Sequence, residues 1–204
     1  MPALPLIVNI LEILFLMAAF ASGISVATLI GISKHDFEGD CILYSDVIWT
    51  SPTYFQIEPQ GVAKCSYCMG LQGIAVIVAF LYATYRAIVL VTNRFDMPIM
   101  RIIAAPVYAT FAFLILIQAS LVTMGIIYFC WDLQSEPTYA NTKCGMFQDV
   151  EWQYYDGTRF YDVLKSAEGA SWVSFISWCI LIVLTVLNII FERKYDQMGT
   201  TTSS

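Results

Sequence analysis

"LPLIVNILEILFLMAAFASGISVATLIGI", residues Leu4–Ile32, carries one charge, Glu12, in an otherwise apolar or weakly polar run. A bilayer core about 30 Å thick needs roughly 20 apolar helical residues, and this run supplies them. Ala19-Phe20-Ala21 resembles a signal-peptidase site. Against cleavage, no basic residue precedes the run, and the apolar stretch continues well past Ala21. Signal cores are shorter and follow a positive segment, so this helix is expected to stay.

Three further runs match it: 69–92, 102–129 and 171–191. Within a chain of 204 residues that is 58% hydrophobic and 13% charged, four such runs exclude an ordinary soluble domain. Lipid offers the backbone no hydrogen-bond partner, so each run should be helical. The fold class that follows is an all-α membrane protein, a four-transmembrane-helix bundle forming a single four-span domain over 1–204.

The connecting segments set the expected topology. They are 33–68, 93–101, 130–170 and a tail, 192–204. Arg86, Arg94, Arg101, Arg193 and Lys194 crowd the short flanks around 93–101 and the tail, where the positive-inside bias acts. Cys41, Cys65, Cys68, Cys130 and Cys144 lie in or beside the two long loops, as an oxidising compartment would favour, while Cys179 lies within a helix. Both termini and the 93–101 loop are therefore expected in the cytoplasm, with loops 33–68 and 130–170 extracellular and the protein at the plasma membrane. Loop 33–68 has Lys34 and Lys64 against Asp36, Glu38, Asp40, Asp46 and Glu58, a net −3. Loop 130–170 has Lys143, Arg159 and Lys165 against Asp132, Glu136, Asp149, Glu151, Asp156, Asp162 and Glu168, a net −4. Such an exterior argues against nucleic acid as a partner.

The segment "HDFEGDCILYSDVIW", His35–Trp49, could be a metal site or a folded element. Its acids and its apolar residues Phe37, Cys41, Leu43, Val47 and Trp49 fall on opposite parities. That pattern predicts a half-buried strand, a small β element in the first loop. Calcium chemistry fails on position: an EF-hand would need glycine where Cys41 stands and glutamate where Val47 stands. A lone histidine without a second ligand does not make a zinc site. Disulfides within each loop, Cys41 with Cys65 and Cys130 with Cys144, would brace it, with Cys68 a competitor for Cys65. In the second loop, Asp156-Gly157 between aromatic flanks predicts a hairpin turn; the competing reading starts the fourth helix near Arg159.

"HDFEGDC" after the first helix, Cys130-Trp131-Asp132 after the third, and Phe160-Tyr161-Asp162 ahead of a Trp-bearing fourth helix resemble the transmembrane protein 179 family. The resemblance implies a four-span layout with Cys41–Cys65 and Cys130–Cys144 paired and Cys68 left out. It implies no catalytic residue or ligand. The second loop has no Cys-Cys-Gly motif of tetraspanins, and the first lacks the claudin order of Gly-Leu-Trp before two cysteines.

Small residues recur at spacing four on two helices: Ala19, Gly23, Ala27 and Gly31, and Ala75, Ala79, Ala83 and Ala87. That spacing lets membrane helices approach closely. At about 100° per residue, Glu12 and Arg86 fall on those same faces. Each lies about 10 Å from mid-membrane toward the cytoplasm. An intramembrane Glu12–Arg86 ion pair between tightly packed first and second helices is expected, because lone charges at that depth are costly. Gln118, Ser120, Thr123, Ser174, Ser177, Thr185 and Asn188 are read as interhelical hydrogen bonders rather than a conduction path.

Nothing in the chain assembles a nucleophile–His–acid set, a metal cluster or a phosphate loop, so no enzyme and no cofactor is expected. The expected role is a non-enzymatic interaction protein in the lipid bilayer, an accessory subunit of a channel, receptor or transporter. The alternatives are a self-assembling homo-oligomer, claudin-like or pore-forming, and a trafficking factor. Trp49, Tyr54, Phe55, Trp152, Tyr154 and Tyr155 are interface candidates. The competing reading is that most of them pack the two loops together.

Overall fold

The computed structural model describes residues 3–51, 54–92, 98–150, 152 and 155–201. Four helices dominate: α1 (Ala3–Asp36), α2 (Val62–Thr92), α3 (Pro98–Leu133) and α4 (Phe160–Thr201). Each contains a segment long and apolar enough to cross a membrane. Each also outlasts its apolar run; α2 begins at Val62 rather than Met69, and α4 at Phe160 rather than Ser171. At 1.5 Å per residue, a helix of more than 30 residues exceeds 45 Å, so about 15 Å or more stands outside the hydrocarbon core. Those projecting ends carry a head built from both long loops.

α1 packs most extensively, against α4 and α2; α3 packs on α4, while α2 and α3 are the least engaged of the neighbouring helices. Two apolar cores result. One lies within the bundle around Leu16, Ala19, Ala79, Tyr108, Ile115 and Trp178. The other fills the head around Phe37, Leu43, Phe129, Phe147, Phe160 and Leu164.

In the head, β1 (Asp46–Ser51) and β2 (Tyr54–Glu58) form an antiparallel hairpin that sets Trp49 opposite Phe55. The strand expected from Asp36 onward is thus confined to its last part. The helix of α1 continues through Asp36 and closes in a Schellman motif. There the N–H of Gly39 donates to the Lys34 carbonyl at 2.8 Å and the N–H of Glu38 to the His35 carbonyl at 3.1 Å. Glu38 at φ 52° and Tyr44 at φ 65° are left-handed and break any extended run. The buried parity is nevertheless kept at Phe37, Cys41, Leu43 and Val47, joined by Ile42 from the polar set.

The hairpin turn expected at Asp156-Gly157 is also corrected, because this dipeptide leads straight into α4. Asp156 Oδ1 accepts the Thr158 N–H at 3.2 Å and its hydroxyl at 2.6 Å. Gln148 Oε1 then accepts the otherwise orphaned Asp162 N–H at 3.0 Å in the first turn. A Cβ at Gly157 would run into the Trp152 indole, so the turn admits only glycine. Gly61 plays the same part at the start of α2, lying against the Leu43 carbonyl.

Both disulfides form. Cys41 and Cys65 have Cα atoms 6.0 Å apart and tie the end of α1 to the start of α2. Cys130 and Cys144, 5.4 Å apart, fold the second loop onto α3. Cys68 is a buried free thiol one helical turn below Cys65, and Cys179 a half-buried one.

Candidate functional site

The bundle holds a buried charge cluster at the end where α1 starts and α4 finishes. Glu12 Oε2 and Arg86 Nη2 are 2.7 Å apart, with side chains 1% and 2% exposed. The same Arg86 nitrogen donates to Asn9 Oδ1 at 2.5 Å. Asn188 Nδ2 donates to that oxygen at 3.4 Å, and the Tyr108 hydroxyl to Glu12 Oε1 at 3.5 Å. The ion pair and Asn9 together therefore form a polar cluster to which all four helices contribute. Arg101, also buried, lies close enough to act on the Glu12 carboxylate. The signal for Asn9 was available: three residues before Glu12, it shares the same helix face. Nothing in the pattern marked Tyr108 among the many aromatic residues.

Small residues make this approach possible. Ala19, Gly23, Ala75, Ala79 and Ala83 are buried, while Ala27, Gly31 and Ala87 are half-buried at the margins. A Cβ at Gly23 would come within 2.6 Å of Val76 Cγ2 and 3.1 Å of Gln72 Oε1, whereas at Gly31 the nearest atom is Met69 Sδ at 4.0 Å. The tight crossing is at Gly23.

A second polar tie lies nearer the head. Gln72 Nε2 donates to Gln118 Oε1 at 2.7 Å, and Gln118 Nε2 to Ser171 Oγ at 3.4 Å, joining α2, α3 and α4. Trp172 Nε1 donates to Thr123 Oγ1 at 3.2 Å. Ser120 and Ser177 bond to Leu116 and Val173 of their own helices instead. The i−4 carbonyl lies within reach of a helical hydroxyl whether the residue is exposed, as Ser120 is, or buried, as Ser177 is, and needs no neighbouring helix.

The acids of the opening segment dock the two loops on each other. Asp36 Oδ2 accepts from Arg159 Nη2 at 3.5 Å, and the Asp36 carbonyl accepts the Asp156 N–H at 3.1 Å. The Tyr155 hydroxyl donates to Asp40 Oδ2 at 3.2 Å. Burial, and then the Asp40 carboxylate, hold that phenol above its ordinary value. The Thr158 hydroxyl bond holds Asp156 below the usual carboxylate range. Asp132 at the end of α3 accepts the Val47 N–H, and Asp46 accepts from Tyr128 and Gln60. His35 points outward, its side chain 91% exposed. Among the described residues no three metal-ligating side chains converge.

Four of the aromatic interface candidates are engaged within the head. Trp49 stacks on Tyr139 with centroids 5.2 Å apart and contacts Phe55 at 4.9 Å. Trp152 sets its edge against Phe37 and Phe55. Tyr155 stacks on Phe37 at 5.2 Å. The Tyr54 side chain and all of Tyr154 lie outside the described residues. Among the described residues in and beside the head, Trp131 (69%), Met146 (58%) and Ile48 (48%) are the most exposed of several outward-facing apolar side chains, which include Val62 and Tyr67.

Known proteins resemble this chain in sequence. Residues 8–204 match the transmembrane protein 179/179B claudin domain. A transmembrane protein 179B of Mus musculus is 28% identical over 91% of this chain and 85% of its own length. One of Danio rerio is 30% identical over 87% of this chain and 82% of its own. One of Homo sapiens is 26% identical over 86% and 80%. No solved structure shows significant similarity. With its four membrane-crossing helices, small hairpin and two disulfides, the chain belongs to the transmembrane protein 179/179B claudin-domain family.

Proposed function

We propose that this four-span protein is a non-enzymatic interaction protein, an accessory subunit of a channel, receptor or transporter. In this reading it sits at the plasma membrane with both termini in the cytoplasm and the head outside. The observation that carries it is the division of aromatic labour in the head. Trp49, Phe55, Trp152 and Tyr155 are spent on packing the loops together, which makes the head rigid. Trp131, Met146 and Ile48 are left for contact with something else. Exposed apolar and aromatic side chains on a rigid support are what partner recognition uses. The Glu12–Arg86 pair serves in this reading as a register lock, with no substrate role.

Purification from native membranes in mild detergent, followed by mass spectrometry, tests this. A constant channel, receptor or transporter companion, reduced at least tenfold by Trp131→Ala with Met146→Ser, supports it. A homogeneous self-assembly overturns it. One feature favours that second reading: β2 pairs only with β1 among the described residues, and an open strand edge is a ready site for a second copy.

A further inference from the structure

We propose that the cleft between α2 and α3 binds one acyl chain of a membrane phospholipid. It lies in the half of the bundle nearer the ends where α1 starts and α4 finishes. The inference is independent of the function proposed above. The cleft has a volume of about 390 Å³ and is walled by Val78, Leu81 and Tyr82 on one side and Ile103, Val107 and Tyr108 on the other. It exists because α2 and α3 are the least engaged neighbours in the bundle. Tyr82 and Tyr108 meet edge to face with centroids 5.5 Å apart and prop the two helices open at one point. Tyr108 is itself fixed from behind by the Glu12 carboxylate and by the Trp178 ring, 5.6 Å away.

The occupant follows from what borders the cleft. Leu81 (61% exposed) and Ile103 (52%) form its rim and belong to the apolar faces that these membrane-crossing helices turn to the bilayer. The cleft is thus continuous with the lipid interface. An empty apolar slot would forfeit dispersion contacts on both walls. A lipid tail restores them with no polar group to desolvate, since hydrocarbon is as apolar as the walls. A helix of a second copy, about 10–12 Å across with its side chains, would cover the rim. A chain one methylene wide enters the slot.

The test uses the full chain in mild detergent with palmitoyl-oleoyl phosphatidylcholine as the probe, read by native mass spectrometry. Val107→Trp and Val78→Phe fill the cleft from opposite walls. Ile117→Trp adds the same bulk on α3 outside it. The expected result is one retained phospholipid on the wild type and on Ile117→Trp, with occupancy at least tenfold lower in the two filled variants. Absence of retained lipid on the wild type, equal retention in all four proteins, or a homodimer dissolved by Val107→Trp overturns the proposal. If the filled variants misfold, the wild type still decides, using phosphatidylcholine brominated along its chains. Trp178 emission, obtained by difference against Trp178→Phe, should fall by more than half; unchanged emission overturns the proposal.

Discussion

Val47 in β1 gives its backbone N–H to the carboxylate of Asp132, which lies at the head end of α3, two residues after the bridged Cys130. The hairpin is therefore moored to α3 by two charge-assisted hydrogen bonds, this one and that from the Tyr128 hydroxyl to Asp46, and among the described residues no third strand supports it. Asp132→Ala should loosen β1 and β2 selectively, at a cost of about 1–3 kcal/mol. Hydrogen exchange should show faster exchange across 46–58 with the bundle unchanged; equal protection would remove Asp132 from this role.

Breaking the buried pair on one side should be far more damaging. Glu12→Gln or Arg86→Gln leaves one charge stranded among four helices, at a cost of about 3–5 kcal/mol. Most of the protein should then fail to accumulate. Exchanging the two residues should restore expression only in part, because Tyr108 and Arg101 favour a carboxylate on α1 while the Asn9 oxygen accepts from a guanidinium on α2. Expression in the exchanged protein no better than in either single variant would show that the pair is not what holds the helices.

Gly23→Val and Gly31→Ala form a matched pair for the α1–α2 crossing. The first forces side-chain carbon into Val76 and should cost about 1–3 kcal/mol, the usual range for overpacking. The second meets only Met69 Sδ at 4.0 Å and should be neutral in a thermal-shift measurement.

Removing Cys130–Cys144, which spans 14 residues, should lower stability by about 3 kcal/mol if loop closure dominates. Cys68→Ala should leave non-reducing gel mobility and thiol-labelling stoichiometry of the denatured bridges unchanged. A shift in either would place Cys68 in a bridge.

The docking of the second loop should be flat across neutral pH and fail at both extremes. Tyr155, held above its ordinary value of about 10, contributes fully below that pH and loses its contribution as pH rises through the higher folded value. Asp156, held below its ordinary value of about 3.9, contributes above that pH and loses its contribution as pH falls through the lower folded value. Near-ultraviolet circular dichroism should follow both limbs. Tyr155→Phe should weaken the alkaline one while sparing the acid one.

The membrane architecture was legible because hydrocarbon imposes it: an apolar run of that length has one solution. The face shared by Glu12 and Ala19 follows from helical geometry alone. The head was harder. Alternation through Phe37, Cys41 and Leu43 marks burial correctly, but burial with period two also arises where a Schellman turn and a left-handed Tyr44 coil the chain over an apolar surface. The start of α4 depended on a carboxamide from elsewhere in the loop, Gln148, capping its first turn, which no local pattern contains. The acids of the opening segment looked like a ligand set because their partners, Tyr155, Asp156 and Arg159, lie far along the chain.

That distance has a consequence for how the chain is made. Asp40 and Tyr155 are 115 residues apart, so at about 5–20 residues per second the ribosome needs roughly 6–23 s to deliver the second after the first. For that interval Phe37 and Phe55 have no Trp152 or Tyr155 to cover them. The head therefore cannot close until the chain has been made into the start of α4. A nascent chain stalled before α4 would present a sticky aromatic surface, which quality control could read as the mark of an unfinished molecule.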